Sequence, residues 1–217
     1  MNRGQMRTQT AIFAEDKDQT RYSGLYEDAI DRACQQFALE TQALWKDVSW
    51  SHSASDADED LPTDFMWEDW VTYDGKKLTG KSRYELNTLY PGTDWTTIEG
   101  TPIYYVIDPE EAVKEIVLVP IPQEAKTLVM RYFPLPAAMT ADSDIALNSS
   151  ALMLQFHLAI CAFAAWLLKM GEVSTPEGER KLERLQALFN AGTSKAIETF
   201  GNTISAPIQI TSKRVWK

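Results

Sequence analysis

The sequence is poor in the residue types that most enzymes work with. It has two histidines and two cysteines in 217 residues. The serine-hydrolase pattern GxSxG, the zinc pattern HExxH, a Walker phosphate loop and the dinucleotide pattern GxGxxG are all missing. Cys34 and Cys161 form neither a CxxC pair nor a metal-spaced pair, and both fall on apolar helical faces. They read as buried, reduced thiols, in keeping with an intracellular protein. Positive charge is also scarce: 21 Lys and Arg face 31 Asp and Glu, for a net charge of −10. That balance excludes wrapping duplex DNA with the general surface, because affinity for phosphates comes from Lys and Arg. It leaves open a wall that DNA slides past without sticking. The opening stretch MNRGQMRTQT lacks the apolar core of a secretory signal. No internal repeat or low-complexity segment interrupts the chain, and 44% apolar residues suffice for a folded core.

Against these absences stands one long apolar run, residues 149–170, SSALMLQFHLAICAFAAWLLKM. Its large residues cover nearly every side of a helix, so it is either buried on most faces or membrane-spanning. Gln155, His157 and the lack of basic flanks argue against a membrane span. Asn148 or Ser149 is the expected N-cap, and Lys169 and Gly171 suit the other end. Two amphipathic helices offer faces to cover it. One runs over about 24–45, opened by Ser23 or Gly24, with Tyr26, Ile30, Ala33, Phe37, Thr41 and Leu44 in line. The other runs over about 176–200, with Thr175 as cap, Pro176 in the first turn and Gly201 as stop. Leu182, Leu185, Leu188, Phe189, Ala196, Ile197 and Phe200 form its expected stripe. A weaker helix is expected over 1–18.

From Asp47 the period changes to two. Val48, Trp50 and His52 alternate with polar residues, as in a strand. The acidic stretch at Asp56, Asp58, Glu59 and Asp60 reads as a solvated surface loop. It resembles a calcium loop only in its alternating carboxylates, since Leu61 stands where glycine is needed and Trp67 where a bidentate Glu is needed. Asp74-Gly75 signals a hairpin turn, Ser82–Tyr90 a short helix, and the runs TPIYYVID, EIVLVPIP and TLVMRYFPLP three strands of a small antiparallel sheet or barrel.

The reading is therefore α+β. A helical bundle of about four helices, residues 1–46 and 148–201, is split by an antiparallel β-rich insertion, residues 47–147, and followed by an extended tail, residues 202–217. The charge is uneven along it. Residues 24–170 hold ten Lys and Arg against 23 Asp and Glu, whereas residues 202–217 hold Lys213, Arg214 and Lys217 and no acid. A basic, aperiodic tail on an acidic body is a docking element for an acidic partner.

A string of short patterns then recurs in a distinctive order. LPTDF (61–65) is followed by Tyr90-Pro91-Gly92-Thr93-Asp94-Trp95, then Glu99-Gly100-Thr101-Pro102-Ile103-Tyr104-Tyr105, IVLVPIP (116–122), LVMRYFPLP (128–136) and Asp142-Ser143-Asp144 ahead of an Ala/Leu-rich helix. From Met6 to Phe200 this order resembles the head-to-tail adaptor (connector) proteins of tailed bacteriophages, with 46–60 the least typical part. The resemblance implies a bundle with a β insertion and a homo-oligomeric ring, usually dodecameric, between the portal protein and the tail or nozzle proteins. It implies residence in the virion neck after assembly in the host cytoplasm, double-stranded DNA passing without specific binding, no catalytic residues, no metal or other cofactor and no membrane. It further implies a C-terminal segment that embraces the portal. Here Ile204, Ile208, Ile210, Val215 and Trp216 would be its apolar anchors, and Lys213, Arg214 and Lys217 its charges. Any side of the long helix left bare would meet a neighbouring subunit, at Phe156, His157, Phe163 and Trp166. Asp56, Asp58, Glu59 and Asp60 would line the lumen or the outer surface.

Two other readings compete. Trp50, Trp67, Trp70 and Trp95 could form an exposed platform of a carbohydrate-binding module, although Trp also serves cores and protein contacts. An enzyme could use the acidic stretch with a metal.

Overall fold

The computed structural model describes residues 1–107, 114–149, 151–172 and 175–201, without the side chains of 148, 149, 151, 152 and 201. Helices α1 (Arg3–Ala14) and α2 (Tyr26–Thr41) open the chain. Strands β1 (Lys46–His52), β2 (Asp58–Asp60), β3 (Phe65–Tyr73), β4 (Lys76–Lys77) and β5 (Thr79–Gly80) follow, then the short helix α3 (Arg83–Leu89). Strands β6 (Glu99–Gly100), β7 (Tyr104–Ile107), β8 (Glu115–Val119), β9 (Ile121–Pro122) and β10 (Lys126–Pro134) come next. Helices α4 (Ala151–Leu154), α5 (His157–Lys169) and α6 (Pro176–Gly201) close the described part. The architecture is mixed α+β with largely antiparallel sheets. Contacts divide it into two compact units: Met1–Ala43 with the described residues from Pro136 onward, and Leu44–Leu135.

In the helical unit, α1, α2 and α6 all pack on α5. Local signals explain where the helices start and stop. Asn2 accepts from the Gln5 amide while Gln5 accepts from the Asn2 amide, a capping box, and Glu15 ends α1 in the left-handed region. Thr175 Oγ1 accepts from the Gly178 amide and caps α6. The buried face of α2 holds Tyr26, Ile30, Ala33, Phe37 and Thr41 at three- and four-residue steps. Alanines Ala159, Ala162, Ala164 and Ala165 of α5 are buried, which lets the neighbours approach closely. Aromatic rings fill the wider gaps: Phe37 lies 5.7 Å from Phe156 and 6.4 Å from Phe189, and Phe163 stacks on Phe189 at 4.4 Å.

The helices depart from the sequence pattern at three places. The apolar run is not one helix from 149 to 170. A 3-10 turn (Ala146–Ser149) and the single turn α4 precede a break at Gln155–Phe156, where the Phe156 and Ala159 amides reach back only three residues. Phe156 is itself the N-cap of α5, its ring buried against Phe37 and Phe200. Neither Ser23 nor Gly24 caps α2, whose N-cap is Leu25 without a side-chain bond. Leu188 and Ile197 of the expected α6 stripe are exposed, because the buried arc runs through Leu185, Phe189, Thr193 and Ala196.

In the second unit, strands pair as β1–β10–β3–β4 and as β2–β8–β7–β5, with β6 and β9 a separate pair. The inner faces of the first two sheets share one core of Val71, Tyr73, Leu128, Met130 and Tyr132 from the first with Tyr105, Ile116 and Leu118 from the second. Register puts Val48, Met130 and Val71 side by side, and likewise Trp50, Leu128 and Tyr73. Asp74 and Gly75, with φ of 51° and 73°, make the type I′ turn joining β3 to β4. Ser82 and Glu85 form a capping box on α3, whose Leu86 packs with Trp95, Val106 and Val119.

Candidate functional site

The acidic stretch does not converge on a point. Asp58–Asp60 is a strand, not a loop, paired antiparallel with Val117, Ile116 and Glu115 of β8. Period-two alternation leaves Asp58 and Asp60 exposed and turns Glu59 inward. Glu59 Oε1 lies 2.7 Å from Nδ1 of the buried His52, and His52 Nε2 lies 2.9 Å from the Asp56 carbonyl. These two bonds pin the acidic stretch to the end of β1. Among the described residues, no group of three or more His, Cys, Asp or Glu could hold a metal ion.

The tryptophans are also dispersed. Trp95 is buried and donates to Asn87 Oδ1 at 2.8 Å. Trp50 lies against the core, and Trp67 packs on Phe133 at 5.5 Å. The remaining arrangement has no local signature: the Arg131 guanidinium lies 4.4 Å from the ring of Trp45 and 5.2 Å from that of Trp70. Asp47 holds Arg131 from the neighbouring strand through two bonds, at 2.7 and 3.0 Å. The paired Arg131 keeps the Asp47 carboxyl below its ordinary range, outweighing burial. Trp45 is 55% exposed. Cross-strand register created this stack, and a single sequence does not show register. An open cleft elsewhere is lined by Tyr73, Asp74, Lys76, Thr101, Gln123 and Lys126 and contains no tryptophan.

Of the four residues expected at a subunit contact, Phe156 and His157 have their side chains inside the helical unit. His157 accepts from the Met1 amino group at Nδ1, 2.8 Å away. Burial, and then the charge of that amine, push its pKa down to about 4. Phe163 and Trp166 stack at 5.3 Å and stay half-buried, and Met170, four residues further along the same face, is 54% exposed. Leu158 is equally exposed. The tail residues Ile204, Ile208, Ile210, Lys213, Arg214, Val215, Trp216 and Lys217 lie outside the described residues.

Exposed apolar side chains such as Leu158, Met170, Leu188 and Ile197 thus stand beside titratable groups that are dispersed among the described residues. The chain belongs to the SU10 adaptor protein family, whose family model matches residues 1–208. The resemblance to phage head-to-tail adaptors is thereby borne out, and the chain is a phage structural adaptor of the virion neck, which is not an enzyme class. No curated protein matches it. No helix among the described residues is long and apolar enough to cross a membrane.

Proposed function

We propose that the chain forms a ring between the portal and the tail or nozzle proteins of a tailed phage. In this reading the helical unit is a bundle, the β-rich unit is an insertion into it, and residues 202–217 dock to the portal. The observation that carries self-association is the uncovered apolar surface of the helices: Leu158 and Met170 at 54% exposure, Leu188 at 51% and Ile197 at 48%. Burying these side chains against a neighbouring copy would remove apolar surface from water. A ring of about twelve copies agrees with the family and with the acidic balance of the chain, net −10, which suits a lumen that duplex DNA must not grip. The tail supplies apolar anchors in Ile204, Ile208, Ile210, Val215 and Trp216 and the basic residues Lys213, Arg214 and Lys217.

Electron microscopy and native mass spectrometry of the chain mixed with its portal test this reading. Rings seated on the portal are expected. Met170→Asp with Leu158→Asp is expected to leave a folded protein that no longer forms rings. Removing residues 202–217 is expected to abolish portal binding with the thermal midpoint unchanged. Wild-type portal binding by the truncated chain overturns the docking role of the tail.

A further inference from the structure

The first sheet has one long open edge. β1 pairs with β10 over seven residues, Lys46↔Tyr132 to His52↔Lys126, and no described strand lies on its other side. The backbone N–H and C=O groups of alternate β1 residues therefore point away from the sheet. The other described edge strands are short: β2 has three residues, and β4, β5, β6 and β9 have two each. Natural proteins usually shorten, charge or cover a long edge, because it templates pairing with another chain. β1 carries charges only at Lys46 and Asp47, and its middle, Val48–Ser51, has none. Val48 and Trp50 are only half-buried and form the open flank of the core. A further strand with apolar residues at this face would complete that core.

The chain holds one segment with the matching pattern. Ile208-Gln209-Ile210-Thr211-Ser212-Lys213-Arg214 alternates at its start, is rich in β-branched residues and contains no proline after Pro207. We propose that the outer edge of β1 receives this segment from a second copy, as an added strand. Charge sets its direction. The basic end of the segment seeks the acids Asp56, Asp58 and Asp60, which His52 fastens to the C-terminal end of β1. The added strand is therefore parallel to β1, with Ile208 and Ile210 beside Val48 and Trp50 and with Lys213 and Arg214 beyond His52. The reverse direction would bring them to Lys46. Tail onto edge is a heterologous contact in which every copy gives one strand and receives one, and such contacts form a ring when the rotation between copies closes. This seat takes Ile208, Ile210, Lys213 and Arg214 out of the set proposed above for the portal and leaves Ile204, Val215, Trp216 and Lys217, on either side of the strand, for that contact. The inference rests on the proposed self-association for its second copy.

Amide hydrogen exchange on the full chain tests it. At concentrations where rings form, the outward amides of residues 46–52 are expected to exchange at least tenfold more slowly than in a chain ending at Gly201. A synthetic peptide of residues 202–217 added to the shortened chain is expected to restore the protection. The same peptide with Ile208→Asp and Ile210→Asp is expected to fail, and one with Lys213→Glu and Arg214→Glu to bind at least fivefold more weakly. Exchange in α5 reports that the shortened chain stays folded, and full-length Ile208→Asp/Ile210→Asp serves in its place if it does not. Equal exchange at 46–52 with and without the tail, while rings persist, overturns the seat and leaves the ring. Protection that survives dilution to monomers overturns the second copy as donor. A chain that never associates removes the ring reading itself.

Discussion

Two buried titrating side chains show how single residues set the stability of the helical unit. Asp16 is 4% exposed, yet its carboxylate accepts from the amides of Thr20, Arg21 and Tyr22, each at 3.2 Å, and from the Tyr26 hydroxyl at 2.5 Å. Burial pushes its pKa up, but these four donors outweigh it and hold the group below the ordinary carboxylate range. Asp16→Ala leaves the donors unpaired and is expected to cost about 2–4 kcal/mol, read from the urea midpoint. His157 titrates in a separate window. Its folded pKa, about 4, lies below the ordinary 6.5, so between these values the unfolded chain holds a proton that the folded chain does not. Stability from this group is thus complete above about pH 6.5 and is lost as the pH falls toward 4. Asp16, also depressed, gives up its share only below the usual carboxylate range, near pH 4. Denaturation profiles from pH 8 to 5, above the range where the depressed carboxylates titrate, are expected to slope in the wild type below pH 6.5 and to flatten there in His157→Gln. An unchanged slope in that variant rejects the assignment.

At the scale of elements, α5 and α6 cross closely at Gly192 and Ala159. A Cβ added at Gly192 would sit 2.3 Å from Ala159 Cβ, well inside van der Waals contact. Gly192→Ala is therefore expected to destabilise the unit by about 1–3 kcal/mol despite the better helix propensity of alanine. Gly192→Ala combined with Ala159→Gly is expected to recover most of that loss, measured as thermal midpoints, and no recovery would place the strain elsewhere. This crossing also marks the limit of what the sequence discloses. Caps and periodicity are local, so the Thr175–Pro176 start of α6, the buried face of α2 and the Asp74–Gly75 turn could all be read directly. The break at Gln155–Phe156 could not, because apolar residues flank it on both sides and the contact made there, of the Phe156 ring with Phe37, joins residues 119 positions apart. The division of the strands into two sheets was hidden for the same reason. Asp58–Asp60 pairs with β8, and no local signal announces an acidic edge strand. The surface residues now of interest, Trp45, Arg131 and Asp47, meet only through register.

For the whole molecule, function was legible in the order of short motifs rather than in any site, and the unit boundaries follow from how the β-rich part begins and ends. Its first strand, β1, and its last, β10, are antiparallel neighbours, with Lys46 opposite Tyr132. Leu135 donates to the Asp64 carbonyl at 2.6 Å, which ties off the exit strand within the same unit. The chain therefore enters and leaves at adjacent points, so a helical fold can accept this unit as an insertion without stretching. Among the described residues, its core also draws on residues between Leu61 and Tyr132, flanked by Val48 and Trp50. An isolated polypeptide of residues 44–135 is accordingly expected to fold by itself, with dispersed amide and methyl resonances and one cooperative thermal transition. Its size, near the range where one core suffices without disulfides, makes a stability of only about 3–6 kcal/mol reasonable. The complementary chain, with residues 46–133 replaced by a short Gly/Ser turn, is expected to retain helical circular dichroism and the acid-side slope due to His157. Loss of cooperative unfolding in the isolated 44–135 fragment would show that the β-rich unit depends on the helices for its stability, and would remove the insertion reading.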